Sequence, residues 1–362
     1  LKIAWRNLLK NKGYSIINIG GLALGMAVTL IIGLWIEDEL TFNNYFENKD
    51  TIAQVFQSQT FNNQTGTGPA IPLPLEPALR DNYGENFKYL VMSSWTQDSY
   101  LQFGETNISR PGNYMQREAP LLLNLNILNG DRDGLREINS IMLSESTSEA
   151  LFGDVDPIGK TIRLSNEFDL MVTAVYEDIP TNNSFDDTEY IVPWEKYTST
   201  REWIQNSLDN WGNNSFQMFV QLAENTTFVG VTDAIIDIKK NSDEDAVEFN
   251  PRIFLLPMDD WHLRSSFDNG VRTGGRIKYV WLFGIIGAFV LLLACINFMN
   301  LSTARSEKRA KEVGIRKSIG SQRGQLIYQF LSESFLVVLF AYLIAIAIVL
   351  LCLNGFNELA RK

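Results

Sequence analysis

Cysteine and histidine are nearly absent from this 362-residue chain, and their scarcity excludes several kinds of protein. The two cysteines, Cys295 and Cys352, both lie inside long apolar runs. Disulfides therefore cannot cross-link the polar part of the chain, whose stability must come from a packed core. With one histidine, at position 262, most nucleophile–base arrangements of hydrolytic enzymes are excluded.

Charge is absent from three long stretches, which cover residues 16–36, 280–301 and 335–353. About 20 apolar residues at ~1.5 Å rise per residue cross a ~30 Å hydrocarbon layer, so each stretch predicts a transmembrane helix. The first is not a cleaved signal peptide, because its apolar part exceeds the usual ~7–15 residues and the acidic sequence EDE follows it. We assign the third helix to residues 331–353.

Basic residues are scarce in the middle of the chain and concentrated at its ends. Residues 1–12 hold four basic and no acidic side chains, and residues 302–329 hold seven basic and two acidic ones. The stretch 37–279 has 18 basic and 38 acidic residues, a net charge of −20. Because basic loops stay in the cytoplasm, we expect both basic segments inside a bacterial inner membrane and the acidic middle in the periplasm. The acidic middle also argues against nucleic-acid binding.

Two short flanking segments complete this multi-pass topology. Residues 1–15 predict an amphipathic cytoplasmic helix that lies on the inner leaflet before the chain enters the membrane. Residues 354–362 predict a periplasmic tail that follows the third helix.

The acidic middle, residues 37–279, predicts an α+β domain. Two βαβ-like passages, at about 45–100 and 214–265, flank a strand-rich insert at about 101–213. In the second passage TTFVGVTDAIIDIKKN predicts one helix and AVEFNPRIFLLPM one strand. In the insert SIMLSESTSEALFG predicts a strand followed by a helix that stops at Gly153, and TNNSFDDT predicts an exposed loop. The predicted fold class is an α+β extracytoplasmic domain on an α-helical transmembrane domain.

Two motifs of the acidic domain resemble ligand-binding sites, and neither has all the features that such a site requires. The stretch GDVDPIGKT, residues 153–161, resembles a phosphate-binding loop, but five residues separate its glycines where the motif has four, and Pro157 removes a backbone donor. His262 stands near Asp259 and Asp260 without a second histidine or a thiol, which favours a structural turn over a metal site. We therefore expect no metal and no cofactor in this chain.

Four residues of the predicted membrane helices are candidates for helix packing. Gly21 and Gly25 are four residues apart, a spacing that lets two helices approach closely, although ordinary glycine use in membrane helices explains it equally well. Asn297 and Asn300 end the second run, where amides bond to neighbouring helices or to the interface.

The densest positive charge lies between the second and third apolar runs, in AKEVGIRKSIGSQRGQ, residues 310–325. Residues 307–319 are helix formers without proline. Gly320 followed by Ser321 is typical of a helix end and a new helix start. Two short helices joined at Gly320 would form a stiff cytoplasmic elbow over residues 302–330. Binding to lipid phosphates, at about 1 kcal/mol per basic residue, explains the charge but not the glycines within it.

The segment INFMNLSTARSEKRAKEVGIRKSIGSQRGQLIYQFLSES strongly resembles the cytoplasmic segment of MacB-like and FtsX-like ABC transporter permeases. AWRNLLKNKGYSIINIGGLALGMA and SEALFGDVDPIGKTI resemble the opening and the periplasmic core domain of the same family. The resemblance implies a porter-like subdomain over the two flanking passages and a Sabre-like subdomain over the insert. It also implies a dimer of permease chains, driven by a cytoplasmic ATPase that binds ATP and Mg.

Carried onto this sequence, the resemblance implies that the elbow contacts the ATPase. The residues to which it assigns this coupling are Arg309, Glu312, Gly314, Arg316, Lys317 and Gly320. The family's core has four membrane helices and this chain has three predicted ones, so we expect a C-terminally truncated fragment.

The sequence thus predicts the permease subunit of an ATP-driven transporter, which acts on a peptide, antibiotic or lipoprotein and is not itself an enzyme. Its expected partners are a cytoplasmic ABC ATPase, a second permease copy, membrane lipids and, for an exporter, a periplasmic adaptor. One alternative is a membrane-anchored sensor or scaffold with a ligand-binding outer domain. A second is an outward-facing hydrolase, which requires a cleft where carboxylates of shifted pKa converge.

Overall fold

The structure, a computed structural model, describes residues 12–318 and 322–360. It divides into a helical unit, formed by Leu1–Leu40 and Lys278–Lys362, and a mixed domain, Thr41–Ile277. Three long helices form the helical unit and eight short ones belong to the mixed domain within the described residues. In chain order the helices are α1 Lys12–Leu40, α2 Leu75–Tyr83, α3 Ala119–Leu122, α4 Glu145–Phe152, α5 Trp194–Thr200, α6 Glu202–Gln205, α7 Phe228–Ile235, α8 Ile238–Ser242, α9 Met258–Trp261, α10 Ile277–Ser318 and α11 Arg323–Ala360.

The mixed domain holds the strands of the described chain. They are β1 Ile52–Phe61, β2 Gln64–Gly68, β3 Ile71–Pro72, β4 Phe87–Ser93, β5 Gln97–Phe103, β6 Thr106–Met115, β7 Ile127–Gly130, β8 Ser140–Ser144, β9 Thr161–Leu164, β10 Phe168–Tyr176, β11 Tyr190–Pro193, β12 Asn214–Leu222, β13 Arg252–Pro257, β14 Ser266–Asp268 and β15 Val271–Gly274. Three 3₁₀ turns join them, at Lys49–Thr51, Gly84–Asn86 and Glu244–Phe249.

The two predicted βαβ passages interlock in one sheet. Its strand order is β4-β12-β1-β13, and every neighbouring pair is antiparallel. Strands β1 and β4, joined through α2, are therefore parallel with β12 between them, and β12 and β13, joined through α7 and α8, are parallel with β1 between them. This is the split-βαβ arrangement of a ferredoxin-like sheet. The predicted mixture of sheet and helices is confirmed.

The insert between β4 and β12 closes on itself. Its strands pair in the order β11-β8-β10-β9-β5-β6, and β6 then pairs in parallel with β11 through Asn113 to Met115 and Ile191 to Pro193. Six strands thus form a closed ring, which leaves no unpaired edge inside it. A single pairing of Ser93 with Met115 joins the ring to the split-βαβ sheet.

Local sequence explains how the ring's helix begins and ends. The hydroxyl of Ser144 accepts a hydrogen bond from the amide of Thr147 and so caps α4. Gly153 follows the helix at φ 56°, a left-handed conformation that favours glycine. The helix predicted to stop at Gly153 is found as expected.

The free edge of β13 is covered by the domain's own helix. The amide of Ile253 donates to the carbonyl of Ile236, and the amide of Leu255 donates to Oγ1 of Thr232 on α7. Amides bonded in this way cannot pair with another strand. The outer edge of this sheet is therefore closed to strand addition at these two positions.

Three predictions for the mixed domain differ from the structure. The helix predicted over TTFVGVTDAIIDIKKN is split into α7 and α8. The strand predicted over AVEFNPRIFLLPM begins with a 3₁₀ turn and becomes extended only at Arg252, after Asn250 adopts φ 43°. The predicted exposed loop TNNSFDDT buries Asn183, Phe185 and Thr188, because Phe185 packs in the core beside Phe46 and Phe219.

Within the described residues, the helical unit contains three helices long and apolar enough to cross a membrane. The candidate spans are Gly13–Leu40, Ile277–Ala304 and Arg323–Glu358, each longer than the charge-free run that predicted it. Of the predicted amphipathic helix 1–15, residues 1–11 lie outside the described residues, and residues 12–15 continue into α1.

The predicted cytoplasmic segment is organised differently from the expectation of two short helices. Residues 302–318 continue α10 without a break, and the residues after position 322 open α11. A helix already formed extends cheaply through helix-forming residues, because each added residue contributes one more backbone hydrogen bond. Residues 319–321, which include Gly320, lie outside the described residues.

Candidate functional site

The first candidate site is the contact between α1 and α10, which run antiparallel. A methyl group placed on Gly25 would lie 2.5 Å from Cβ of Ala294. One on Gly21 would lie 3.2 Å from Nδ2 of Asn297. Both glycines thus face α10 at close range, and the role of this contact in a partner interface stays a prediction.

The same contact continues through residues that the sequence analysis did not single out. Oγ1 of Thr29 lies 2.9 Å from the carbonyl oxygen of Gly25 in its own helix and 3.2 Å from that of Gly287 on α10. Ile32 packs over Gly287, and the rings of Trp35 and Phe283 meet edge to face at 5.1 Å. Small residues therefore let the two backbones approach along several turns.

The third helix packs on α1 through alanines. Leu22 and Ala23 share a buried cluster with Ala294 and Ala341, and Ala27 shares one with Ala345 and Val349. Ala341, Ala345 and Val349 are four residues apart, so they lie on one face of α11. Both α10 and α11 thus pack against α1.

Buried polar groups lie in the N-terminal halves of α1 and α11. Asn18 is 2% exposed, and its Oδ1 has no hydrogen-bond partner within the described residues. Glu333 is 7% exposed and accepts a hydrogen bond from Nε2 of Gln329 at 3.4 Å. Polar groups in such places are costly in a membrane protein and mark positions with a role beyond packing.

The predicted coupling residues fall on the last turns of α10. Arg309, Glu312, Gly314, Arg316 and Lys317 all belong to this helix. Gly314 is exposed, and a methyl group added there would meet no atom within 4 Å. Gly320 lies outside the described residues, and Asn300, predicted to pack, is exposed on α10. The contact of the coupling residues with an ATPase stays a prediction.

In the mixed domain, the stretch that resembles a phosphate-binding loop uses its backbone donors internally. The amide of Gly159 donates to the carbonyl of Val172, that of Lys160 to Pro157, and that of Ile158 to Oδ1 of Asp156. Amides engaged in this way cannot cradle a phosphate. The structure agrees with a turn that leads into β9.

The surroundings of the single histidine have structural roles. His262 stacks on Phe42 with ring centroids 3.7 Å apart, and Asp259 pairs with Lys49 at 2.6 Å. Asp260 pairs with Arg264 and Arg272. Across the described residues no group of three histidine, cysteine, aspartate or glutamate side chains is placed to hold a metal.

The two carboxylates of raised pKa lie outside two cavities of the mixed domain. Burial raises the pKa of Asp186, with a further contribution from the charge of Asp187, and burial likewise raises the pKa of Asp187. Neither residue lines the cavity around Lys239 or the one around Arg117. Neither cavity therefore combines converging carboxylates with a raised pKa, the combination that the hydrolase alternative requires.

Two signals in the sequence would have revealed more of the helix contacts. Gly284, Gly287 and Ala294 recur at three and seven residues, which places small residues on one face of α10. The four-residue spacing of Ala341 and Ala345 does the same for α11. Which of these faces meet is decided by long-range packing, and spacing within one helix carries no information on it.

Two family models match this chain. Residues 15–238 match the family model described as the MacB-like periplasmic core domain, and residues 284–358 match the FtsX-like permease C-terminal model. A mixed domain with this match beside apolar helices with the second match defines an ABC transporter permease. The chain belongs to the MacB-like and FtsX-like family of these permeases.

Curated relatives agree with this assignment. The macrolide export ATP-binding/permease protein MacB of Neisseria meningitidis is 24% identical over 218 residues, which are 60% of this chain and 31% of the relative. The ABC transporter permease YknZ of Bacillus subtilis is 24% identical over 244 residues, covering 61% of this chain and 55% of YknZ. The chain thus spans less than a third of the length of the MacB relative.

Solved structures show a weaker likeness. The periplasmic region of MacB from Actinobacillus actinomycetemcomitans has 13% sequence identity and a TM-score of 0.43, covering 60% of this chain and 93% of that structure. A permease domain from Porphyromonas gingivalis has 19% identity and a TM-score of 0.47, with 59% and 92% coverage.

Proposed function

We propose that this chain transmits the motion of a cytoplasmic ATPase through its membrane helices to the mixed domain outside. The motion acts there on a peptide, antibiotic or lipoprotein. ATP and Mg bind to the ATPase, and two permease copies, with a periplasmic adaptor in an exporter, complete the complex. The matching family models and the continuous helix α10 support this proposal.

The length of α10 is the observation that carries it. Its uncharged run ends at Leu301, and the helix continues for 17 residues to Ser318. At ~1.5 Å per residue, this extension projects about 26 Å beyond the uncharged run. Because the apolar part of α10 and its extension form one unbroken helix, they move as one rigid element. A force on the basic end of α10 is therefore passed to the three membrane helices.

Positive charge supports a cytoplasmic location for this extension. Seven basic residues lie in 302–329, whereas the mixed domain and its flanks carry a net charge of −20 over residues 37–279. Basic loops are retained in the cytoplasm, which supports an inner-membrane protein with its N terminus inside. An ATPase is then within reach of the extension, and the mixed domain faces the periplasm.

Co-purification tests the coupling. The tagged chain is isolated from its native cells in mild detergent, and a co-purifying ATPase with a P-loop is quantified by mass spectrometry. The double charge reversal Arg316→Glu/Lys317→Glu is compared with Lys88→Glu, an exposed lysine of the mixed domain. We expect the reversal to release the ATPase and the control to retain it.

Retention of the ATPase by both variants would show that the basic extension does not hold it. A different outcome is that the wild-type chain itself brings down no ATPase. This result favours the sensor or scaffold alternative, in which the basic extension only anchors lipid.

A further inference from the structure

The chain passes from the mixed domain into α10 through a two-stranded hairpin, β14 and β15. Only Gly275 and Arg276 separate this hairpin from Ile277, the first residue of α10. The amide of Ile277 donates to the carbonyl of Leu263, and a methyl group added to Gly275, at φ 140°, would lie 2.9 Å from the same oxygen. A link of two residues has little slack, so the hairpin follows a displacement of the start of α10.

Phe267 attaches the hairpin to the centre of the split-βαβ sheet. Phe56 of β1 and Phe254 of β13 lie directly opposite each other in this sheet. The ring centroid of Phe267 is 5.9 Å from that of Phe56 and 5.7 Å from that of Phe254. Aromatic rings at such distances attract each other beyond the burial of their area. The hairpin therefore holds two adjacent strands of the sheet at once.

Two polar side chains attach the hairpin at other points. At its turn, Oδ1 of Asn269 accepts the backbone amide of Thr65 on β2 at 2.8 Å. On β15, the guanidinium of Arg272 pairs with Asp260 of α9 at 2.9 Å and donates to the carbonyl of Arg264 at 2.6 Å. Because a single contact would allow rotation about it, three contacts at separate points hold the hairpin against both sliding and rotation.

The hairpin contributes little to the core of the mixed domain. Val55 and Ile253, which precede the two phenylalanines of the sheet, point to the opposite face and belong to the larger buried cluster. Within the described residues, neither of the domain's two buried clusters includes a residue of β14 or β15. Asn269 and Arg272 are both exposed. The three attachments therefore hold the hairpin on the sheet rather than build the core.

We propose that this hairpin transmits the displacement of α10 to the split-βαβ sheet. Phe267 passes the displacement to β1 and β13, Asn269 passes it to β2, and Arg272 passes it to α9. Because β1 pairs with β12, β13 and β2, the sheet moves together with these strands. The inference rests on the proposed function, because the ATPase supplies the displacement. The three side chains are positioning residues.

Spin labels on the full chain, bound to its ATPase in nanodiscs, test this transmission. Cys295 and Cys352 are replaced by alanine, and one label is attached to Thr181→Cys in the mixed domain or to Ser318→Cys at the end of α10. Double electron–electron resonance measures the distance between the labels of the two permease copies, without nucleotide and with ATP and vanadate. With the hairpin unchanged, we expect ATP and vanadate to shift this distance for both labels.

Two hairpin variants remove the attachments. Phe267→Ala removes the aromatic one, and Asn269→Gly/Arg272→Ala removes the polar ones. Glycine at position 269 keeps the left-handed turn, where φ is 47°. We expect each variant to lose most of the shift at position 181 and to keep the shift at position 318, because α10 still moves. A purely structural role of the hairpin would not separate the two labels in this way.

Val271→Ala is the matched control on the same hairpin, because Val271 is 66% exposed, and it should keep both shifts. Urea unfolding checks that each variant is folded, and the double variant, which changes only exposed side chains, still tests the proposal if Phe267→Ala does not fold. A shift at position 181 that survives in a folded hairpin variant, or that is lost together with the shift at position 318, would overturn the inference and leave the proposed function in place. Without a shift at position 181 in the chain with the intact hairpin, the proposed function itself would be contradicted, and the inference would fall with it.

Discussion

Gly25→Ala adds one methyl group where α1 and α10 lie close together. The added Cβ would be 2.5 Å from Cβ of Ala294, whereas carbon atoms in contact are ~3.5–4.0 Å apart. The helices must separate by about 1 Å at this point, and overpacking of this kind costs roughly 1–3 kcal/mol. Gly33→Ala is the matched control, because a methyl group there meets nothing within 4 Å.

Thermal unfolding in nanodiscs with a thiol-reactive fluorophore measures the effect. Both cysteines of the chain, Cys295 and Cys352, belong to the helical unit, so the signal reports this unit and not the mixed domain. At about 3–5 °C per kcal/mol for a unit of this size, Gly25→Ala should lower Tm by roughly 3–15 °C. Gly33→Ala should leave it unchanged or raise it slightly, since alanine favours a helix.

A double variant makes the argument specific. In Gly25→Ala/Ala294→Gly the clashing carbon is removed, and the next atom near the new methyl group is the carbonyl oxygen of Val290 at 3.7 Å, an ordinary contact. We expect the double variant to recover most of the lost stability. Equal Tm values for Gly25→Ala and Gly33→Ala, or no recovery in the double variant, would refute this packing.

Three further substitutions or conditions have expected outcomes. Burial lowers the pKa of Lys239 to about 8, so the folded state binds this proton less tightly than the unfolded state. Burial also raises the pKa of Tyr114, Tyr176 and Tyr190, whose ionisation lowers the stability over the same pH range in both proteins. The stability of wild type relative to Lys239→Met should therefore rise by about 2–3 kcal/mol between pH 8 and pH 10.5, measured by urea unfolding. Asn18→Leu removes a buried oxygen without a partner in the described chain and should raise the Tm of the helical unit, corresponding to about 1 kcal/mol; a lower Tm would show that the oxygen is satisfied. Gly112→Ala would place a methyl group 2.5 Å from the carbonyl oxygen of Tyr190 and should destabilise the mixed domain by about 3 kcal/mol in the same urea assay, whereas Gly66→Ala, with nothing within 4 Å, should change it little.

Local patterns in the sequence predicted much of this architecture. The charge-free runs located all three long helices, because an uncharged run of this length has few other stable solutions. The strand, helix and glycine pattern of SIMLSESTSEALFG located β8, α4 and the turn at Gly153, since a capping serine and a left-handed glycine act over a few residues.

Other features depend on residues far apart in the chain. The ring closes through Tyr114 and Val192, which are paired across β6 and β11 but lie in separate parts of the sequence. Phe185 is buried because Phe46 and Phe219 approach it, although its own neighbours are polar. Lys239 stands in a KKN run that looks like a solvated helix end, but it is buried and bonds to amide partners from β1 and β12.

The central claim is that the basic extension and the mixed domain lie on opposite sides of the membrane. A measurement of membrane topology tests this claim most directly. Ser318→Cys and Thr181→Cys, both at exposed positions, are introduced one at a time after Cys295 and Cys352 are replaced by alanine. Intact cells are treated with a maleimide that cannot cross the inner membrane. We predict labelling of Thr181→Cys in intact cells and of Ser318→Cys only after the inner membrane is permeabilised. Labelling of Ser318→Cys in intact cells, or protection of Thr181→Cys, would contradict the account.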